Sequence, residues 1–381
     1  MLAEVTAPLV AIVDAKQLRY AVDTVLHTIN KHTTVPILSM VKLTIASNKL
    51  SVLATDLENT TSVDLDVDAT ADFSTTVDGR SLKDALPASG TISLESLGNV
   101  GYGLKLTSDG STQTFVTLPA SEYPIFPNLG EFHGTVESTL GDLQAALTFA
   151  NSASKEECRG AALMSTLLQL HGSTGSVINT DGYQLSTTPI AGSSTAALFD
   201  VILNAGFVDA IRKFKGDKDA CASIQIYGDQ KNQAVFVCGG TMIVGRNVDG
   251  QYPNWQQVIP AQFDRKFILD TDTLIKLVKA AGAVSADRAN MIILDFDGRD
   301  SNLTIRSQSY LKGHYEASMQ ANSYYADPIK IAFNAKYLGD LLTQQKKRKS
   351  KEIVMEMLSP ISPAKISGDE SSYSILMPLR Q

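Results

Sequence analysis

The chain has 381 residues, 44% hydrophobic and 19% charged, with a net charge of −7; it is too long for a single core and too apolar to be disordered, which points to two or three globular domains. That charge excludes a uniformly basic nucleic-acid binder, and no apolar run approaches the ~18 residues of a membrane helix. Three cysteines (Cys158, Cys221, Cys238) without a CxxC pair, and five scattered histidines, argue against a disulfide framework or a zinc site and fit a reducing, cytoplasmic setting.

The N-terminal stretch MLAEVTAPLVAIVDA has no Lys or Arg ahead of its apolar part, so it reads as a first strand rather than a signal peptide. Asp14 is a good helix N-cap, and Leu18, Ala21, Val22, Val25 and Ile29 follow at helical spacing. Lys16, Arg19 and His27 lie opposite that stripe, with Asp23 among them. SVDLDVDATADF (62–73) alternates and predicts a sheet with one wet face. VDGRSLKDAL (77–86) predicts a second helix carrying Arg80 and Lys83. Leu140, Leu143, Leu147 and Ala150 predict a third. LNAGFVDAI (203–211) begins a fourth, followed by Arg212, Lys213, Lys215 and Lys218. SIQIYG and AVFVCGG read as strands. Leu274, Leu277, Val278 and Ala281 predict a fifth helix, with Lys276 and Lys279 on its other face. FNAKYLGDLL (333–342) predicts a sixth, adding Lys336 and running into KKRKSK (346–351).

The text repeats. VDGRSLKDAL, LNAGFVDAI and FNAKYLGDLL share one plan, a turn pair followed by a helical run. LATDLENTTS (53–62) pairs with INTDGYQLSTTP (178–189), and IRSQSYLKGHYEA (305–317) is a weaker third echo. LPASEYPIFP (118–127) pairs with DGQYPNWQQVIP (249–260). The spacing is about one third of the chain, which is a whole domain rather than a solenoid unit. The expectation is an α+β fold of three repeated domains, 1–128, 129–260 and 261–381, each with two helices packed on antiparallel sheets. The basic helix faces, recurring on an acidic chain, predict one positive surface able to hold a polyanion. Enzymatic signatures are missing: there is no GxxxxGK[ST] loop, G-x-S-x-G elbow or HExxH. DFDGRD (295–300) opens like a calcium loop, but its twelfth position is Arg306 rather than Glu.

TTVPILSMVKLTI, LATDLE, VDGRSLKDAL, TLPASEYPIFP, NTDGYQLS, VDGQYPNWQQVIP, FNAKYLGDLL and SILMPLRQ, in this order along the whole chain, resemble the bacterial DNA polymerase III beta subunit, the sliding-clamp family. The resemblance implies a non-catalytic processivity factor, a head-to-tail homodimer closing six clamp-type domains into a ring around double-stranded DNA, read without regard to sequence. It also implies tethering of the polymerase III alpha subunit, clamp-loader subunits and other clamp-binding-motif proteins, with no cofactor, metal or membrane. Size agrees: a ~127-residue domain is about 35 Å across, so three in a ring leave about 5 Å and six leave about 35 Å, against a duplex roughly 20 Å wide. On this reading the lining residues are Arg19, Lys31, His32, Arg80, Arg212, Lys213, Lys276 and Arg288. The resemblance places a peptide pocket at Thr180, Gly182, Tyr183, Gln184 and Leu185, with Pro253, Gln257 and Val258, Asn334 and Tyr337, Ile361 and Pro363. The tail Ile375, Leu376, Met377, Pro378, Leu379 and Arg380 completes it. Many family members have Arg where this chain has Gln184 and Gln257, so its pocket should differ in charge. The competing expectation is a monomeric three-domain scaffold or binding protein with no DNA role, which light scattering separates from a dimer.

Overall fold

A computed structural model describes residues 9–30, 32–97, 103–151, 160–194, 198–285, 289–297, 302–324, 327–369 and 371–380. Six α-helices occur among them: α1 (Ala15–Val25), α2 (Gly79–Ala85), α3 (Leu140–Ala150), α4 (Ala205–Lys213), α5 (Thr271–Val284) and α6 (Ala335–Lys347). The described strands pair antiparallel in four sheets, in keeping with the α+β expectation. None of the described helices is long and apolar enough to cross a membrane. Two compact units are present, Met1–Gly141 with Gly206–Asn247, and Asp142–Ala205 with Val248–Gln381.

In the first unit the strand Leu9–Asp14 runs straight into α1, because the Asp14 carboxylate accepts from the Gln17 backbone N–H and ends the extended run. Asp78 does the same for α2 through Ser81. The predicted stripe of α1 is buried at Leu18, Ala21, Val22 and Val25, and packs with Leu82 of α2 against Val41, Leu43, Ile92 and Leu94. A five-stranded sheet orders Asp68–Ala69, Leu9–Asp14, Thr91–Ser96, Gly103–Ser108 and Ser111–Val116. A larger sheet runs from Phe132–Thr139 through Cys221–Tyr227, Gln233–Cys238 and Thr241–Arg246. It continues into Asn59–Asp66, Lys49–Thr55, Met40–Ala46 and Phe73–Asp78. The crossover between sequence repeats is at Thr241 opposite Val63 and Gly245 opposite Asn59. Gly245 cannot carry a side chain there: a Cβ would sit 2.7 Å from the buried Phe207 of α4.

The second unit repeats the plan. Asp270 caps α5 through Thr273, and Asn334 caps α6 through Lys336 and Tyr337. A nine-stranded sheet orders Phe199–Leu203, Thr166–His171, Thr174–Thr180, Gln184–Ile190, Tyr373–Leu376, Ala364–Ser367, Glu352–Met357, Arg265–Asp270 and Asn322–Tyr324. Its seam pairs Gln184 with Leu376 and Thr187 with Tyr373. Buried hydroxyls meet across that seam, Ser186 with Ser374 at 2.9 Å and Thr188 with Ser372 at 2.8 Å. A four-stranded sheet of Gly313–Gln320, Asn302–Ser309, Met291–Asp297 and Ile329–Asn334 covers the other side of a core built on Phe267, Phe296, Phe333 and Leu338. The middle repeat of the sequence is thus shared: strands 221–246 extend the first repeat's sheet, and strands 166–190 extend the third's.

Candidate functional site

Two hairpins explain the repeated phrases. In the first, the Thr55 hydroxyl donates to the Asn59 carbonyl (2.9 Å) and accepts from Leu57 N–H (3.1 Å), while Asp56 accepts from the backbone of Glu58 and Asn59. In the second, Thr180 donates to the Gln184 carbonyl (2.8 Å) and accepts from Gly182 N–H (3.2 Å), while Asp181 accepts from Tyr183 and Gln184. Each Tyr-Pro phrase then locks its hairpin. The Tyr123 hydroxyl donates to the Met40 carbonyl (3.1 Å) and also meets the Thr55 backbone. The Tyr252 hydroxyl accepts from Thr180 N–H (3.2 Å) and lies 3.5 Å from the Ser165 carbonyl. Burial pushes the Tyr123 phenol up to about 12.

The locked second hairpin forms one wall of a cavity of about 100 Å³. Nine of the sequence-predicted pocket residues line it: Thr180, Gly182, Tyr183, Gln184, Leu185, Pro253, Val258, Ile375 and Met377. The tail is held by Met377 N–H donating to the Tyr183 carbonyl (2.9 Å) and Leu379 N–H to the Ala332 carbonyl (2.8 Å). Such a volume admits one apolar anchor rather than a cofactor. Tyr183, Val258 and Met377 are exposed on its rim. Gln257, Asn334, Tyr337, Ile361, Pro363, Leu376, Pro378, Leu379 and Arg380 do not line the cavity. Tyr337 adjoins it, its ring stacked 6.3 Å from that of Tyr183. Leu376 is fully buried in the core, Asn334 is committed to capping α6, and Ile361 is exposed.

Three lining residues were missed by sequence reasoning: Leu163, Asn254 and Trp255. Trp255 is the lone tryptophan of the chain and opens a 3-10 turn, Trp255–Val258, directly after Tyr252-Pro253. Its rarity within a phrase already singled out was the available signal.

A second concavity, about 490 Å³, lies within the first unit. Asp23 of α1 and His27 just beyond its end, Arg80 and Lys83 of α2, Lys213 of α4 and the following Lys215 line it, together with Tyr20 and Phe214. Arg80, Lys213 and Lys215 are exposed. Lys83 pairs with Asp23 at 2.7 Å, and Arg212 and Lys213 share Asp209 at 2.8 and 3.2 Å. Partial burial, and then the charges of Lys213 and Lys215, hold the His27 imidazole below its usual value. Cations of α2 and α4, from two sequence repeats, and the Lys215 that follows α4 therefore meet at one surface beside α1. Arg19 faces elsewhere: its guanidinium donates to the carbonyls of Leu86 and Pro87, tying α1 to the end of α2. His32 is exposed, Lys276 is exposed on α5, and Lys31 and Arg288 lie outside the described residues. Among the described residues no group of His, Cys, Asp and Glu could hold a metal ion.

Residues 10–127 match the family model of the DNA polymerase III beta subunit, N-terminal domain, and residues 256–380 match that of its C-terminal domain. The beta sliding clamp of Proteus mirabilis is 23% identical over 376 residues, covering 97% of this chain and 99% of its own. That of Synechococcus elongatus is 27% identical over 205 residues, covering 53% of each chain. Among solved structures, the sliding clamp of Pseudomonas aeruginosa bound to griselimycin superposes with a TM-score of 0.90 at 20% identity, covering 98% of this chain and 100% of that one. The Bacillus subtilis DNA polymerase sliding clamp gives 0.89 at 19%, with the same coverage. With both terminal-domain models matched, full-length relatives and one shared fold, the chain belongs to the DNA polymerase III beta subunit family, the bacterial sliding clamps.

Proposed function

We propose that this protein is a DNA sliding clamp: two copies, head to tail, close three domains each (1–128, 129–260, 261–381) into a ring around duplex DNA. The convergence of cations from α2, α4 and the segment after α4 on one surface of a chain with net charge −7 carries this reading. A ring stays on DNA by topology, so it needs no tight or base-specific contact. Lysines and arginines facing phosphates at a stand-off give a path with shallow minima, which permits sliding. The acidic remainder repels DNA and keeps the duplex in the opening. Arg80, Arg212, Lys213 and Lys276, with His32, Lys31 and Arg288, serve the lining. Arg19 contributes less directly, since its guanidinium is hydrogen-bonded to the backbone carbonyls of Leu86 and Pro87.

The cavity beside Gln184 and Trp255 serves as the tether for polymerase, clamp-loader and other partner segments, which dock a Leu or Phe anchor. The protein does no chemistry itself and works in the cytoplasm with the replication machinery. Reversing charge at Arg80, Arg212 and Lys276 together should shorten retention on circular duplex DNA while the dimer persists. Undiminished retention removes the lining assignment. Linearising the DNA should release the unmodified clamp.

A further inference from the structure

The KKRKSK run, 346–351, closes α6 in the second unit and lies outside the lining residues named above. Two of its cations are spent within the fold. Lys346 pairs with Asp272 at 2.5 Å, and Arg348 pairs with Asp369 at 3.2 Å while lying 5.3 Å from the centre of the Phe149 ring. Lys347, Lys349 and Lys351 are exposed and form no ion pair among the described residues. Backbone bonds order the turn that carries them. Lys349 N–H donates to the Lys346 carbonyl (2.8 Å), Ser350 N–H to that of Gln345 (3.3 Å), and Thr271 N–H to that of Lys351 (3.0 Å). Cations favour the negative end of a helix, which accounts for Lys346 and Lys347 in the last turn of α6. It does not account for Lys349, which stands past that end at φ 64°, where glycine is the unstrained choice.

The cluster fits a polyanion better than a protein surface. No large apolar side chain is exposed from Lys336 to Glu352, so nothing there could form the apolar centre of a protein interface. Ammonium groups on flexible stems suit phosphates met at varying positions. The neighbouring acid Glu352 stands opposite Asp270 in the sheet. α6 also opens on a cation: Lys336 is exposed and shares a concavity of about 290 Å³ with Lys279 of α5. Lys336 and Lys347 are three helical turns apart, so they share a face at a separation of about 16 Å. Asp340 lies between them on that face, which makes the two ends separate contact points rather than one strip. Resting on the reading of this protein as a ring around DNA, we propose that Lys347, Lys349 and Lys351 form a further phosphate contact in the second unit, which holds the sugar–phosphate backbone of duplex DNA without reading its sequence. Each ammonium replaces a counterion at one phosphate, so the three contacts steepen the salt dependence of binding.

The test uses the full-length protein and a short fluorescent linear duplex, with binding read by anisotropy over a range of salt. Lys347→Gln, Lys349→Gln and Lys351→Gln together should make the slope of log K against log salt shallower by about 2 to 3. Removing three lysines from exposed strand positions elsewhere, Lys49→Gln, Lys266→Gln and Lys330→Gln, should leave that slope within about half a unit. Lys349→Gly alone relieves the backbone and should melt higher than the unmodified protein, yet its slope should be shallower by about 1. A higher melt with an unchanged slope assigns Lys349 to structure alone and overturns the proposal. So does an unchanged slope in the triple variant, an equal change in the strand-lysine control, or no binding of the duplex by the unmodified protein at low salt. If the unmodified protein, once loaded, stays on circular duplex DNA and leaves when the circle is cut, the ring reading stands whatever the slopes show. If it is not retained on the circle, the ring reading fails and the proposal with it.

Discussion

Leu57 and Gly182 hold the same place in their hairpins, at φ values of 78° and 86°. Glycine adopts that left-handed conformation freely, whereas a leucine side chain is strained there. Leu57 is 65% exposed and gains little from burial. Leu57→Gly should therefore raise stability by about 1 kcal/mol, and Gly182→Ala should lower it by a similar amount, both read from urea midpoints at unchanged slope. His27 offers a second check. Its imidazole is held below the usual value, so neutral His27 favours the folded state. That contribution is present above the ordinary value of about 6.5 and is lost as pH falls through the lowered one. The NMR titration of His27 should lie below the ordinary histidine value, and Lys213→Gln with Lys215→Gln should move it upward. At this scale the sequence was readable where local chemistry decides, as with the Asp14 cap. It was opaque where a distant backbone decides. Nothing near Arg19 in the chain announces that its guanidinium will find the carbonyls of Leu86 and Pro87.

Among the described helices, α1, α2, α5 and α6 begin at an Asp or Asn whose side chain accepts from the first turn: Asp14, Asp78, Asp270 and Asn334. Apolar spacing made α1, α3 and α5 legible in the sequence, and the repeated plan of VDGRSLKDAL, LNAGFVDAI and FNAKYLGDLL made α2, α4 and α6 so. Asn334 does double duty, its amide also donating to the Ala289 carbonyl at 2.9 Å. Asn334→Ala should cost about 1 kcal/mol or somewhat more in chemical denaturation. Peptide affinity should change little, because the side chain is spent on α6 and not on the cavity. The Tyr-Pro phrase acts at the same level, fastening a linker to the hairpin before it. Tyr123 is pushed up to about 12, so its neutral form stabilises the fold below the ordinary phenol value of about 10, and that contribution is lost as pH rises towards 12. Tyr123→Phe should remove the hydroxyl's bond to Met40 and lower stability near neutral pH by about 1 kcal/mol. It should also delete one late-titrating phenol from the ultraviolet alkaline titration.

For the whole molecule, the proposed ring needs two chains, and light scattering should give a mass near twice 40.9 kDa. A monomer at micromolar concentration would leave the scaffold reading in place. Repeats, helices and basic faces were visible in the sequence because each follows a short-range rule. The pairing of 59–66 with 241–246, and of 184–190 with 373–376, was not. Such registers depend on which edges remain open after each repeat has folded, and residue order does not state that.

Those two pairings bear on anyone who would cut this chain for study. Scissors placed at residue 260, where the duplicated text suggests a clean break, would strip the strand Gln184–Ile190 of its neighbour and bare its hydrogen-bonding edge, with Leu185 and Ile375 losing their shelter. The resulting piece should clump on purification, while fragments that keep 142–205 together with 248–381 retain a finished border.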